Sequence, residues 1–344
     1  MTKPFRVLQV GFGTIGRPIA ETVIGRDNLQ LVAVVDVDPD LHGKPVTEFL
    51  TKSADSTARI YPTVDAAFEE ISGPVDAALV LTSSSLEKVK PTIIRCLEAG
   101  MHVVSICEEL SYPYVKYPAL SEEIDKAAKE VGKSVLGTGI NPGYLMDLLP
   151  IVLTAPCQSV DGIHVTRVID SSRRRASFQK KVGTSMSVNE FTEAIESGAI
   201  TGHVGLVESM RLIDHALGLN LDHFEEFPPE AVIAEKEIET SFARIEAGNV
   251  LGLKSRGVGS KKNQNIIALD FIAFAGASPE YDEIKIEGYP NVTSRIEGGV
   301  MGDFGTAAMA VNMIPIVTHT SPGLHTMKDL PVPRNTQNMM RKSS

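Results

Sequence analysis

The stretch Phe5-Arg-Val-Leu-Gln-Val-Gly11-Phe-Gly13-Thr-Ile-Gly16-Arg-Pro-Ile-Ala-Glu-Thr-Val-Ile24 decides the fold. Phe5–Val10 is a short, mostly apolar strand pattern, three glycines follow at once, and Ile15–Ile24 reads as an amphipathic helix. Asp36 stands about twenty residues further on, at the end of the next apolar run, Leu29–Asp36. Each part has a mechanical reason. The first glycine makes a tight turn, the second lets backbone approach a pyrophosphate, and the third lets the helix pack closely on the strand with its N–H groups aimed at the anion. The pattern predicts a dinucleotide site with Gly11, Phe12, Gly13, Thr14, Ile15, Gly16 and Asp36 as contacts. Asp36 would accept hydrogen bonds from the adenosine ribose and repel a 2′-phosphate, which favours NAD and leaves NADP as the alternative.

Outward from this stretch, strand-like runs at Ala77–Thr82, His102–Ser105 and Ser134–Leu136 alternate with helical segments at Leu86–Ala99 and Ala119–Val131. Apolar strands separated by helices predict a Rossmann-type, doubly wound parallel sheet in an α/β domain over residues 1–143. Gly100 and Gly132 fall where two of these helices should stop. After Gly143 the rhythm changes. Val160–Asp170 alternates like a half-buried strand, Val188–Ser197 and Gly205–Leu217 read as helices, and extended runs follow near Ala234–Ile245, Val250–Val258, Asn265–Ala275 and Glu283–Glu287. Residues 144–302 are therefore expected to form an α+β domain with a mostly antiparallel sheet, and the tail 303–344, with a helix at Thr306–Val317, to complete the first domain.

The chain has 344 residues, enough for about two domains. Its formal net charge of −10 argues against nucleic acid as a partner, and no apolar run is long enough to predict a membrane span. The start lacks the pattern of a secretory signal, so a cytoplasmic location is expected. Three cysteines (Cys96, Cys107, Cys157) without C-x-x-C spacing predict neither a disulfide framework nor a metal site.

Other candidate residues follow the predicted strands, at the carboxyl edge where ligands meet such sheets. Thr82 and Ser83 are expected to touch the cofactor, with Ser85 capping the next helix. Cys107-Glu108-Glu109 follows His102–Ser105; two consecutive carboxylates seldom point the same way, so one can face the reaction crevice and the other a structural partner. Gly137-Thr-Gly-Ile-Asn141-Pro142-Gly143-Tyr144 offers close backbone approach, with Asn141 as donor and acceptor. Arg173, Arg174, Arg175, Lys180 and Lys181 form a basic cluster that either anchors a substrate carboxylate or is simply solvated, and Asp170 before it could orient an arginine.

The runs Cys107-Glu-Glu-Leu-Ser-Tyr-Pro113 and Gly137-Thr-Gly-Ile-Asn-Pro-Gly143, the basic run Asp170-Ser-Ser-Arg-Arg-Arg175 with Gln179-Lys-Lys-Val-Gly183, and the tail from Gly302-Asp303 to Pro322-Gly323 resemble 2,4-diaminopentanoate dehydrogenases and related amine dehydrogenases. The resemblance implies a first domain similar to that of dihydrodipicolinate reductase and Glu108 as catalytic acid/base; the residues themselves point to Asn141 and Pro142 at the cofactor and Tyr144, Asp170, Arg173 and Arg174 at the substrate. It implies NAD(P)-dependent deamination of an amine or diamino acid, reversed with a carbonyl and ammonia, in a homodimer formed through the second domain. A partly desolvated glutamate suits this chemistry, since it can take a proton from ammonium and return one to departing water.

The alternatives are a carbonyl reductase, a dihydrodipicolinate reductase-like enzyme, or a dinucleotide-binding sensor without catalysis. Gly11-Phe-Gly-Thr-Ile-Gly-Arg17 also resembles the start of glyceraldehyde-3-phosphate dehydrogenases, but Cys157 lacks the flanking residues of their nucleophile.

Overall fold

The computed structural model describes residues 3–51 and 55–341, which belong to two compact units, Met1–Tyr144 with Met301–Ser344 and Leu145–Val300. The first unit begins β1 (Phe5–Val10), α1 (Gly16–Ile24), β2 (Leu29–Val35), β3 (Ile60–Tyr61), α2 (Val64–Glu70), β4 (Ala77–Val80), α3 (Leu86–Glu98), β5 (His102–Ser105), α4 (Pro118–Glu130) and β6 (Ser134–Gly137). These strands are parallel in the order β6-β5-β4-β1-β2-β3, so the direction of winding reverses between β1 and β4. Every residue of β4, β5 and β6 is buried, because helices cover both faces. Leu8, Val10, Ala33, Ala78, Val103 and Val135 join Ala67, Val89, Ile93 and Ile124 of α2, α3 and α4 in one core. The alternate residues of the strands, Gln9 among them, face the opposite side, where α1 lies.

The second unit holds α5 (Leu148–Leu153), β7 (Ser159–Asp170), α6 (Ala176–Lys181), α7 (Val188–Glu196), α8 (Leu206–Leu217), β8 (His223–Glu226), β9 (Glu230–Ile233), β10 (Ile238–Glu239), β11 (Arg244–Ile245), β12 (Val250–Lys261), β13 (Gln264–Phe274), β14 (Tyr281–Tyr289) and β15 (Val292–Glu297). Its main sheet runs β15-β14-β7-β13-β12-β8, with β9 also on β12, and is antiparallel except for the parallel pair β7 and β13. Ile163, Val165, Leu269, Phe271, Ile284 and Ile286 line its buried face. The long extended run expected over Ala234–Ile245 is corrected here. It holds only the two-residue pair β10 and β11, because Thr240 Oγ1 accepts from the backbone N–H groups of Phe242 and Ala243 and turns the chain.

The chain then returns to the first unit as α9 (Gly302–Val317) and β16 (Gly323–His325). β16 pairs in parallel with β6, so the tail supplies an edge strand besides the expected helix. Among the described residues no helix is long and apolar enough to cross a membrane.

Candidate active site

The carboxyl edge of the parallel sheet is a continuous series of close contacts. Gly16 could carry no side chain, since a Cβ there would lie 2.2 Å from Gly11 O; α1 starts directly against the turn. A Cβ on Gly13 would meet nothing within 4 Å, which leaves the approach over the turn open to a ligand. These two opposite requirements are those of a pyrophosphate cradle. Asp36 holds the turn from the next strand: its Oδ2 accepts the Phe12 N–H at 2.6 Å and its Oδ1 the Asp38 N–H at 3.0 Å. A carboxylate has about four acceptor sites, so capacity for ribose hydroxyls remains. Thr14 is exposed and Ile15 half-buried at the mouth of the turn, while Phe12 is buried with its ring edge-on to Phe49.

A Cβ on Gly11 would stand 3.2 Å from Leu81 and from the Thr82 side chain, so the glycine turn abuts the loop after β4. Thr82 is exposed there and Ser83 half-buried. The same loop is tied to the turn after β5. Cys107 Sγ donates to Ser84 O at 3.1 Å, and the Glu109 N–H reaches that carbonyl at 3.4 Å. Burial pushes the Cys107 thiol up to about 12, which keeps it a protonated donor.

The two consecutive glutamates have separate tasks. Glu109 Oε2 accepts the Leu86 N–H at the start of α3 at 2.8 Å, and its Oε1 accepts from Lys116 at 2.6 Å and Tyr117 at 3.0 Å. Burial acts to raise the Glu109 pKa, but the bonds from Lys116, Leu86 and Tyr117 outweigh it and hold the group below its ordinary value. The cap expected from Ser85 is corrected accordingly. The Ser85 side chain makes no capping bond, and the first N–H of the helix, that of Leu86, is taken instead by the Glu109 carboxylate. Glu108 is half-buried, and its carboxylate has no hydrogen-bond or ionic partner among the described residues. Its backbone carbonyl is fixed by Ser111, whose Oγ donates to it at 2.6 Å.

The third turn packs against the second. A Cβ on Gly137 would lie 2.5 Å from Leu110 C, so only glycine lets β6 end against the Glu108–Leu110 turn. Asn141 is half-buried and Pro142 buried in the loop that follows, and Tyr144 is half-buried at its end. The structure thus brings Gly11–Gly16, Asp36, Thr82, Ser83, Glu108 and the Asn141 loop along one edge of one sheet.

Comparison with known proteins bears on this edge. Residues 144–344 match the model of the 2,4-diaminopentanoate dehydrogenase C-terminal domain. The chain is 33% identical over 335 residues to the 2,4-diaminopentanoate dehydrogenase of Acetoanaerobium sticklandii, covering 96% of this chain and 94% of that protein. The chain belongs to the 2,4-diaminopentanoate dehydrogenase family. An amine dehydrogenase of Streptomyces virginiae is 22% identical over 364 residues, covering 97% of this chain and 98% of that one. The fold matches the solved amine dehydrogenase of Mycobacterium smegmatis with a TM-score of 0.82 at 20% identity, over 96% of this chain and 97% of that one. As a member of this dehydrogenase family, the chain is an NAD(P)-dependent oxidoreductase of amines, and the glycine turn fits its nicotinamide cofactor.

Of the residues expected at the substrate, Tyr144 ends the Asn141 loop of the first unit, and Asp170, Arg173 and Arg174 belong to the second unit. Asp170 accepts from Ser172 N and Oγ, both at 2.9 Å, and from Gly276 N at 2.8 Å. Arg173 pairs with Glu280 and lies 3.6 Å from Asp170. Arg174 is buried with its guanidinium 4.7 Å from the centre of the Phe178 ring. Cys157 Sγ points at Pro290 O, 3.4 Å away, with no base beside it among the described residues. Sequence reasoning missed Gln9, Cys107 as an anchor of the Glu108 turn, and Arg17, whose guanidinium sits over the rings of Phe12 and Phe49. Gln9 did carry a signal, as the one polar side chain in the inner part of an apolar strand.

Proposed function

We propose that the protein oxidatively deaminates an amine or diamino acid to a carbonyl compound and ammonia, and in reverse aminates a ketone or aldehyde, with Glu108 as the acid/base. The division of labour between the two glutamates carries this reading: Glu109 is fully engaged in holding the site together, whereas Glu108 keeps a free carboxylate at the same sheet edge.

Gly11, Phe12, Gly13, Thr14, Ile15, Gly16, Asp36, Thr82, Ser83, Asn141 and Pro142 hold the dinucleotide in this reading. The bound nicotinamide supplies hydride transfer. In the aminating direction the Glu108 carboxylate takes a proton from ammonium, and free ammonia adds to the carbonyl carbon to give a carbinolamine. Glu108, now protonated, gives its proton to the carbinolamine hydroxyl, which leaves as water and yields an iminium. The half-buried position of Glu108 favours both transfers, since fewer competing waters surround the carboxylate.

The carboxylate of Asp36 disfavours a 2′-phosphate, so NAD is the preferred cofactor. Arg17 and Lys44, both near the Phe49 ring, offset that repulsion and support use of NADP as well. Tyr144 borders the substrate. For a substrate bearing a carboxylate, Arg174 is the proposed anchor, because it is the buried one of the two arginines and a charge-assisted bond is stronger away from water. Residues 145–300 serve the substrate and join two chains in a homodimer, which light scattering would read as the mass of two chains.

The deciding experiment is oxidation of NADH by the purified protein with a panel of ketones, aldehydes and 2-amino-4-oxopentanoate, each with and without ammonium. Turnover that requires ammonium is expected. Turnover without it would make the protein a carbonyl reductase, and tight NADH binding with no turnover would make it a sensor.

A further inference from the structure

Gln9 is fully buried in β1, an inner strand of the parallel sheet whose other buried residues, Phe5, Val7, Leu8 and Val10, are apolar. Its Nε2 donates to Gly11 O at 2.9 Å and to Gly16 O at 2.9 Å, the first and last residues of the glycine turn. Both partners are carbonyls, so the amide must present its NH2 group to the turn; the reverse orientation would set oxygen against oxygen. That leaves Oε1 buried with no protein partner among the described residues. A buried polar group with an unsatisfied oxygen is a local defect that a leucine or valine would remove, and such defects concentrate where function demands them. The turn has further ties, Gly11 N to Val35 O at 2.8 Å, Phe12 N to Asp36, Arg17 N to Gly13 O at 3.1 Å and Arg17 Nε to Phe12 O at 3.2 Å, while Gln9 joins Gly11 and Gly16 themselves from the buried side.

We propose that Gln9 is a positioning residue for the dinucleotide. Its amide bridges the two ends of the turn and sets the curvature that leaves the space over Gly13 open, so that the backbone N–H groups meet the pyrophosphate without rearranging. The inference rests on the nicotinamide cofactor and not on the assignment of Glu108, so either can fail without the other.

The test is NADH affinity, by fluorescence titration, of Gln9→Met and Gln9→Glu against the unaltered protein. Methionine keeps the volume and donates nothing, so part of the binding energy is then spent on ordering the turn, and a Kd about tenfold or more higher is expected. At saturating NADH, kcat and the KM of the carbonyl should stay within about threefold, as expected when binding alone is altered. In Gln9→Glu the buried acid, when protonated, donates one hydrogen bond. Its Kd should lie between the other two at low pH and rise towards that of Gln9→Met as the acid ionises, each compared with the unaltered protein at the same pH. A purely space-filling role gives no such pH dependence. A folded Gln9→Met with Kd within twofold of the unaltered protein would overturn the proposal. If Gln9→Met fails to fold, a Gln9→Glu that binds NADH like the unaltered protein at every pH overturns it equally.

Discussion

The Glu109 carboxylate accepts the backbone N–H of Leu86, 23 positions earlier in the chain, at 2.8 Å. The positive end of α3 is thereby satisfied by the protein itself, and the turn that presents Glu108 is fastened to the loop that carries Thr82 and Ser83. A shift of either loop moves the other.

Glu108→Gln and Glu109→Ala should therefore fail differently. Glu108→Gln removes proton transfer but no structural bond, so turnover should fall by about 100-fold or more with NADH affinity and melting temperature unchanged. Glu109→Ala loses a helix cap and two further bonds, so it should be destabilised by about 1–2 kcal/mol in urea unfolding as well as slowed. Near-normal turnover in Glu108→Gln would remove it from the acid/base role.

The glycines of the turn offer a second contrast. Gly16→Ala places a methyl 2.2 Å from a backbone oxygen and should lower stability by about 3 kcal/mol or more. Gly13→Ala meets no protein atom within 4 Å, so the protein should melt normally yet bind NADH about tenfold or more weakly. Differential scanning calorimetry with and without NADH separates the two.

Acid stability should report His102. Burial lowers its pKa from 6.5 to about 4, with Lys133 and His319 adding to the effect, and its Nδ1 accepts the Ser134 N–H at 3.2 Å. The folded pKa lies below the unfolded one, so the unfolded chain binds the proton first. The neutral ring's contribution is complete above about pH 6.5 and is lost as pH falls towards about 4. At about 1.4 kcal/mol per unit the loss is about 3 kcal/mol. His102→Asn should flatten the decline of melting temperature across that window.

Arginines 173 and 174 should separate by substrate. Arg173→Ala breaks a largely exposed pair with Glu280 and should change stability by about 1 kcal/mol or less, with little effect on turnover. Arg174→Met should weaken turnover of 2-amino-4-oxopentanoate far more than that of an uncharged ketone. Equal losses on both would remove Arg174 from carboxylate recognition.

Much of the first unit could be read directly, because its signals are local. The run Phe5–Val10 and the glycines after it fix β1, the turn and α1, and short apolar runs fix β4, β5 and β6. What escaped depends on partners distant in the chain. Local spacing led to a Ser85 cap, whereas the start of α3 is held at the Leu86 N–H by a carboxylate 23 residues away that no spacing rule connects to it. β16, at Gly323–His325, is three residues long and becomes a strand only because the edge of β6 stands ready to pair with it. The run Ala234–Ile245 looked like one strand because its composition suits extension, whereas the side-chain turn at Thr240 divides it.

The pairing of Gly323 with Ser134 closes the sheet of the first unit across the entire second one. During synthesis, the strands built from residues 5–137 therefore emerge long before their last neighbour and before α9 exists to cover them. Until then β6 is an open strand edge, ready to pair with any other chain. The nascent first unit is an unfinished sheet that must wait for the second unit to be made before it can close, and the residues after Val300 act as its latch.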